Sequence, residues 1–390
     1  MSPAGSMEIT MVSRQFRPGI GGLEDAVFNL SRTLAARGHS IRVVTLDRLF
    51  RGDGRRLAAR ETMEGIEVVR LPWAGSERYP FAPGVLRHLG SADVVHVHGI
   101  DFFFDFLALA RLGHGRPLVA TTHGGFFHSG FARPAKVVWF HTVTRLSARA
   151  YRRIICCGVG DGETFSAIAP SRLQVIENGV DTAKFRNAAA PQAERVLMYF
   201  GRLSANKNTP QLMPLLAALR KRHPGWRLIV AGRNWDTTFA DLEGLVRNYD
   251  LTDAVTLVPE PDDRQLRNLM GRATYFISPS LYEGFGLTTV ESLSAGLVPV
   301  LSDIPAFRRF VRFADPSLLF DPADPTASAA AIEALHASVQ ERYPALRAGL
   351  VTSAEQFAWK AVADRHEAIY RTVAKAGQWQ EDECGGESHG

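Results

Sequence analysis

The sequence predicts an α/β protein built from two doubly wound, mainly parallel sheets. Three observations lead there. Short apolar runs bounded by turn residues alternate with amphipathic stretches of helical length, the pattern of parallel sheets with covered faces. The alternation occurs twice, on either side of Arg186-Asn-Ala-Ala-Ala-Pro-Gln-Ala193, which carries neither period and reads as an interdomain linker. The 390 residues are enough for two domains with sizeable cores.

In the first half, runs rich in Val, Ile and Leu predict strands at Glu8–Val12, Ser40–Thr45, Gly65–Arg70, Val94–His98, Leu118–Thr122, Arg153–Cys157 and Leu173–Ile176. Helical spacing predicts helices at Gly22–Arg37 and Phe103–Gly113. In the second half, strands are expected at Arg195–Phe200, Arg227–Ala231, Val255–Leu257, Tyr275–Ser278 and Val298–Leu301. Helices are expected near Pro210–His223, Thr238–Tyr249, Arg264–Gly271, Leu287–Ala295 and Ser328–Leu335, with a last helical pattern at Ala354–Lys375. The domains expected are 1–190 and 191–353, then a helix at 354–376 and a polar, Gly- and acid-rich tail at 377–390 read as disordered.

Hydrophobic residues make up 46% and charged residues 22%, as in a soluble globular chain. No apolar run of about 18 residues predicts a membrane span. The first residues lack the basic and apolar regions of a secretory signal, so a cytoplasmic protein is expected, with Met1 or Met7 as the start. Cys156, Cys157 and Cys384 have no metal-type spacing and read as free thiols. Residues 1–190 hold 24 Lys and Arg against 16 Asp and Glu, whereas the remainder holds 21 against 24. A basic first half points to an anionic surface or a phosphorylated partner. No nucleic-acid motif accompanies the charge.

The segment Ser280-Leu-Tyr-Glu-Gly-Phe-Gly-Leu-Thr-Thr-Val-Glu-Ser292 carries most of the chemistry. Gly284 and Gly286 let backbone N–H groups approach an anion, and the helix start behind them supplies a positive dipole end. Glu291 lies one turn beyond Leu287 on the same face, placed to grip ribose hydroxyls. Glu283 precedes the loop and reaches toward whatever the distal phosphate carries. The segment reads as a carboxylate-framed cradle for a nucleotide diphosphate bearing a polyol. Arg202 and Lys207 flank a strand-to-helix turn and supply a planar fork and a point charge for a diphosphate. Gly21 and Gly22 open a helix after the first strand, without the full dinucleotide fingerprint of a dehydrogenase. His123 ends an apolar strand before two glycines. His96 and His98 alternate with valines, read as half-buried, and have no third metal ligand. Asp262-Asp263 reads as helix capping.

The Glu283/Glu291 segment, Gly201-Arg202-Leu-Ser-Ala-Asn-Lys207 and Pro18-Gly-Ile-Gly21-Gly22 together resemble the retaining glycosyltransferases of family 4 across nearly the whole chain. The resemblance implies a GT-B fold, two Rossmann-like domains facing across a cleft, with the acceptor on the first and the nucleotide sugar on the second. It implies that His123, Glu283, Arg202 and Lys207 serve catalysis. Donor binding falls to Gly21, Gly22, Arg202, Lys207, Gly284, Phe285, Gly286, Leu287, Thr288 and Glu291. No metal is required, because cations and helix N–H groups neutralise the diphosphate. Carboxylates that bracket the sugar suggest a covalent intermediate as in glycosidases; a front-face route, in which Glu283 holds the sugar hydroxyls and the leaving phosphate accepts the acceptor's proton, is preferred.

Arg14-Gln-Phe-Arg-Pro-Gly-Ile-Gly-Gly22 and Thr122-His-Gly-Gly-Phe-Phe-His128 are similar to bacterial mannosyltransferases that assemble exopolysaccharide repeat units of the xanthan and acetan type. That similarity implies GDP-mannose as donor and a cellobiosyl unit on polyprenyl diphosphate as acceptor. A UDP-sugar enzyme of lipopolysaccharide synthesis and a non-catalytic nucleotide-sugar binder remain the alternatives. Lys136–Arg153 predicts one basic amphipathic helix, with Trp139, Val143, Leu146 and Ala150 on its apolar stripe and Arg145, Arg149 and Arg152 beside it. Such a helix can attach the protein peripherally to the anionic inner face of the cytoplasmic membrane. Phe102–Phe104 and Phe126-Phe127 are expected to add contacts to the polyprenyl chain.

Overall fold

A computed structural model describes residues 5–50, 54–77, 79–123, 133–312 and 318–385. The chain forms two units, Met1–Gly179 with Trp359–Gly390, and Val180–Ala358. The expected boundary near residue 190 therefore lies earlier. The reason is in the backbone of the supposed linker. Asn187 N–H donates to Ser294 O at 2.9 Å, Ala189 N–H to Ala295 O at 2.8 Å and Ala190 N–H to Ala273 O at 3.0 Å. Phe185, Ala189 and Ala190 are buried, so the stretch is a wall of the second unit.

The first unit is built on an eight-stranded sheet. Its spatial order is Leu173–Val175, Tyr151–Cys156, Leu118–Thr121, Val94–His98, Glu8–Ser13, Ser40–Leu46, Ile66–Leu71 and Arg60–Met63. All neighbours are parallel except the last pair. The final helix, Trp359–Gly385, packs Val362, Ala363, Ile369, Tyr370 and Val373 into the core formed by Val27, Leu30 and Leu34 of the helix Gly22–Ala35. It starts five residues later than expected and runs on to Gly385. Residues 377–385 are thus helical, because Gln378–Cys384 contains no Gly or Pro and Gly377 alone is too weak a breaker. The last five residues of the expected tail lie outside the described residues.

The second unit holds six parallel strands in the order Val255–Pro259, Arg227–Asn234, Val196–Leu203, Tyr275–Ser278, Val298–Ser302 and Leu318–Phe320. Asp262 caps the helix Asp263–Met270 in a reciprocal box with Gln265, as its sequence position predicts. A helix at Tyr343–Ala354 and short strands at Arg60–Met63, Ala74–Ser76, Tyr79–Phe81 and Leu318–Phe320 are additions to the expected set.

Strand order fixes where ligands can sit. In each unit the winding reverses beside the first strand: between 8–13 and 94–98 in one, and between 196–203 and 275–278 in the other. Open α/β sheets bind ligands beyond the strand C-termini at such a reversal. Arg202 lies at the C-terminal end of one strand of the second pair, and Glu283 follows the other. The Gly21 loop and His98 stand in the same relation in the first unit.

Candidate active site

In the second unit, two loops are tied together before any ligand enters. Leu281 N–H donates to Asn206 O at 2.8 Å. Asn206 Nδ2 donates to Tyr282 O at 3.0 Å. This docking brings Lys207 Nζ onto Glu283 Oε1 as an ion pair, with the side chains 14% and 10% exposed. Ser280 Oγ donates to the same carboxylate oxygen at 3.2 Å. Arg202 is exposed, and its guanidinium lies over the Trp235 ring, 5.2 Å from the centroid. Gly232 allows the strands to close here, since a Cβ on it would fall 1.8 Å from Gly201 O.

The helix Leu287–Ala295 begins at Gly286, which sits in the left-handed region at φ 85° with no side chain capping the first turn. A Cβ at Gly286 would also press on Phe307 and Phe310 at 3.2–3.3 Å. The uncapped N–H groups of this turn are the donors an anion needs. Thr288 lies beside the strand end, 3.7 Å from where a Gly201 side chain would begin. Arg309 packs under the loop: it donates to Phe285 O and lies 4.6 Å from the Phe285 ring centre. Burial lowers its guanidinium to about 10. Gly284 has open space around it and Leu287 is exposed.

Glu291 is half-buried on the same helix. Burial raises its carboxyl to about 7; Lys184 lowers it, whereas Asp263 and Asp181 raise it further. A carboxyl in that state accepts two hydroxyl hydrogen bonds once ionised.

In the first unit, Gly21 is the N-cap of the helix Gly22–Ala35, with extended backbone and no side-chain cap. A Cβ on Gly21 would lie 2.3 Å from the Glu24 carboxylate, while Gly22 has open space. Ile20 is 88% exposed at the loop tip. Beside the loop opens a cavity of about 610 Å³, whose lining includes Arg17, Ile20, Phe28, Glu61, Glu64 and Arg70.

His123 adopts φ 50°, a left-handed conformation that few side-chain-bearing residues take. Its Nε2 lies 2.9 Å from His98 Nδ1. Its Nδ1 lies 3.8 Å from Cys157 Sγ. Burial, then the nearby His366, lowers its imidazole to about 4, so the ring is neutral at pH 7. His96 and His98 are fully buried rather than half-buried, because the sheet is covered on both faces here. His96 holds Tyr370 Oη at 2.6 Å and Thr121 Oγ1 at 2.7 Å. Among the described residues, no group of three or more His, Cys, Asp or Glu could hold a metal ion.

Comparison with known proteins decides the family. The profile described as Glycosyltransferase Family 4 matches residues 20–184, and that of Glycosyl transferases group 1 matches residues 180–344. The chain is 43% identical over 362 residues to the GDP-mannose:cellobiosyl-diphosphopolyprenol alpha-mannosyltransferase of Xanthomonas oryzae pv. oryzae, covering 92% of this chain and 95% of the relative. The chain belongs to glycosyltransferase family 4. The enzyme of the same name from Xanthomonas campestris is 42% identical over 96% of this chain and 99% of its own. The glycosyltransferase also superposes on Anabaena HepE in complex with UDP, with TM-score 0.70 at 17% identity, covering 94% of this chain and all of that one. Its fold is GT-B.

Within this glycosyltransferase, the structure brings Lys207, Glu283 and the Gly284–Thr288 turn together in the second unit. Arg202 stands at the adjoining strand end, and Glu291 one turn further along the helix. His123, Gly21 and Gly22 belong to the first unit. Gly124 and Gly125, beside His123, lie outside the described residues. Sequence reasoning missed Trp235, Arg309 and Ser280. Trp235 was findable, since it follows Asn234 at the end of the strand next to Arg202. Arg309 carried no local signal, because its contact with Phe285 spans 24 residues.

Proposed function

We propose that this glycosyltransferase moves mannose from GDP-mannose to a cellobiosyl-diphosphopolyprenol acceptor. The carrying observation is identity of 41–43% across nearly the full length of three relatives bearing that activity's name. The donor's mannose is α-linked, so an α-mannoside product means retention at the anomeric carbon. The second unit takes the donor. Arg202, Lys207 and the N–H groups of residues 286–288 receive the diphosphate, and their fixed dipoles stabilise charge as the bond breaks. Lys207 exchanges Glu283 for phosphate, which frees Glu283 to hold the mannose hydroxyls. Glu291 receives the ribose. The leaving phosphate takes the acceptor's proton on the same face, and His123 meets the transferred sugar. The first unit takes the acceptor, with the Phe28-lined cavity offering an aromatic face, carboxylates and arginines for its glucose rings.

The decisive experiment is a nucleotide-sugar panel read by thermal shift and by nucleotide release. GDP-mannose is expected to raise the melting temperature most, since ligand binding stabilises by mass action. GDP is expected to appear only with acceptor present. Equal or stronger protection by UDP-glucose overturns the donor assignment.

Attachment to the membrane fits a lipid-linked acceptor, although the continuous helical run expected to reach Arg153 ends at Ala148. The segment forms a helix at Arg133–Trp139, a π turn at Phe140–Thr144, a helix at Arg145–Ala148 and then the strand Tyr151–Cys156. Arg152 and Arg153 therefore sit on the strand. Phe140, Thr144, Ser147 and Ala148 face the core, leaving Val138 64%, Trp139 43% and Leu146 66% exposed. Leu109 and Leu112 are 84% and 99% exposed on the neighbouring helices. Phe102–Phe104 are core residues rather than lipid contacts, and Phe126 and Phe127 lie outside the described residues. Among the described residues no helix is long and apolar enough to cross a membrane. The exposed apolar residues with Arg145 and Arg149 form the proposed contact. Sedimentation with anionic liposomes at low salt is expected to carry down wild type, and to lose a variant with Leu146, Arg145 and Arg149 changed to Glu. Equal binding of the two removes this surface as the contact.

A further inference from the structure

His123 is held by a short chain of groups that begins on the innermost strand. Met11 is fully buried, and its Sδ lies 3.4 Å from His98 Nε2. His98 Nδ1 in turn lies 2.9 Å from His123 Nε2. A thioether sulfur has no proton and can only accept. The bond between Met11 and His98 therefore requires the proton on His98 Nε2. Burial, first, and then His96 keep His98 neutral, so its Nδ1 carries a lone pair. That lone pair must receive a proton, and His123 Nε2 is the group facing it. His123 is neutral as well, which leaves its Nδ1 as a lone pair. The opposite assignment would set a bare His98 Nε2 against sulfur, two acceptors with no proton between them in a dry interior.

The surrounding groups do not compete. The His96 ring lies 4.0 Å from that of His98, but both its nitrogens are engaged by Tyr370 and Thr121. His366 Nδ1 donates to Val362 O at 2.9 Å. Among the described residues, the hydrogen-bonding contact of His123 Nδ1 is the Cys157 thiol at 3.8 Å. Burial pushes that thiol up to about 12, so it keeps its proton, and it has Asn178 Oδ1 at 3.4 Å as another acceptor. Among the described residues, Nδ1 is the less engaged nitrogen of the ring.

We propose that Met11 and His98 are positioning residues that fix His123 as its Nε2–H tautomer and present Nδ1 as an acceptor for a hydroxyl of the reacting sugar. The proposal rests on the reading that His123 meets that sugar. A relay of this kind sets both the proton position and the ring plane without touching substrate. It also accounts for a thioether, rather than a branched aliphatic, at a position whose neighbours Ile9 and Val12 are also buried.

The test uses the full-length chain with Met11→Leu, His98→Phe, His98→Gln and His123→Ala. Long-range ¹H–¹⁵N spectra of histidine-labelled protein report the tautomer, with His123 assigned by its absence from the alanine variant. Wild type is expected to show the Nε2–H pattern for His123. Met11→Leu nearly conserves volume and is expected to give a mixture, with kcat lower by a few-fold and KM for GDP-mannose little changed. His98→Phe is expected to lower kcat about tenfold, the worth of one hydrogen bond. His98→Gln, whose amide oxygen accepts the same proton, is expected to recover part of that loss. An Nδ1–H pattern in wild type, or a His123 tautomer unmoved by both Met11→Leu and His98→Phe, overturns the relay. So does full turnover in His98→Phe beside a crippled His123→Ala. Full turnover in His123→Ala overturns instead the sugar contact on which the proposal rests, and the spectra then judge the relay separately.

Discussion

Replacing Lys207 with alanine is expected to slow mannosyl transfer by about a hundredfold to a thousandfold, the scale of deleting one preorganised donor. Melting temperature is expected to fall modestly as well, because the ammonium is the cation paired with Glu283 and both side chains are largely shielded from water. Removing one member of such a pair leaves the other charge with too little compensation. Among the described residues, the hydroxyl of Ser280 would then be the remaining hydrogen-bond donor to the Glu283 carboxylate, at 3.2 Å. The two losses separate in a cycle of Lys207→Met, Glu283→Gln and the double variant. Stability is expected to return in the double variant, which carries neither charge. Turnover is expected to stay at the level of the worse single variant, since in the proposed roles Lys207 on the leaving diphosphate and Glu283 on the transferred mannose serve one bond-breaking step. If Lys207→Met transfers mannose at near the wild-type rate, the ion pair is structural and the diphosphate lies elsewhere.

That ion pair shows where the sequence stopped being readable. The strands and the helix Leu287–Ala295 were legible because each is a local pattern: apolar runs, a glycine before a helix start, a spacing of two carboxylates. The residue types at Arg202, Lys207, Glu283 and Glu291 were legible for the same reason. Their mutual state was not. Lys207 and Glu283 are 76 positions apart, and only the docking of the 204–208 turn onto the 280–283 loop makes them partners. The boundary near residue 190 failed for a related reason. The run of alanines has no period, yet its N–H groups are satisfied by carbonyls of residues 273, 294 and 295. An amphipathic pattern also misled at 136–153, where the helical period continued in the sequence past the point where the backbone turned into a sheet strand at Tyr151. In each case the deciding partner was remote in sequence.

Changing Glu291 to alanine is expected to weaken GDP-mannose about a hundredfold while leaving kcat at saturating donor within a few-fold. On the proposed ribose contact the loss is that of two hydrogen bonds from hydroxyls to a charged acceptor, each taken at about 1.5 kcal/mol, the low end for such bonds because water replaces part of them, and made alike in ground and transition states. The carboxylate's environment adds a pH signature. Burial raises Glu291 to about 7 in the free protein. Folding therefore favours its protonated form, and the stability this gives is lost as pH climbs from the ordinary carboxylate range to about 7, with no further change above. The nucleotide favours the ionised form, which accepts from both hydroxyls. GDP-mannose, whose diphosphate diester does not titrate near neutrality, is thus expected to bind about tenfold more tightly at pH 8 than at pH 6, the change in ionised fraction of a group with that value. Glu291→Gln is expected to bind weakly and with a flat profile across the same range. Titration calorimetry at both pH values measures the slope directly. A wild-type affinity that does not change between them, or a Gln variant that keeps the slope, places the ribose away from Glu291.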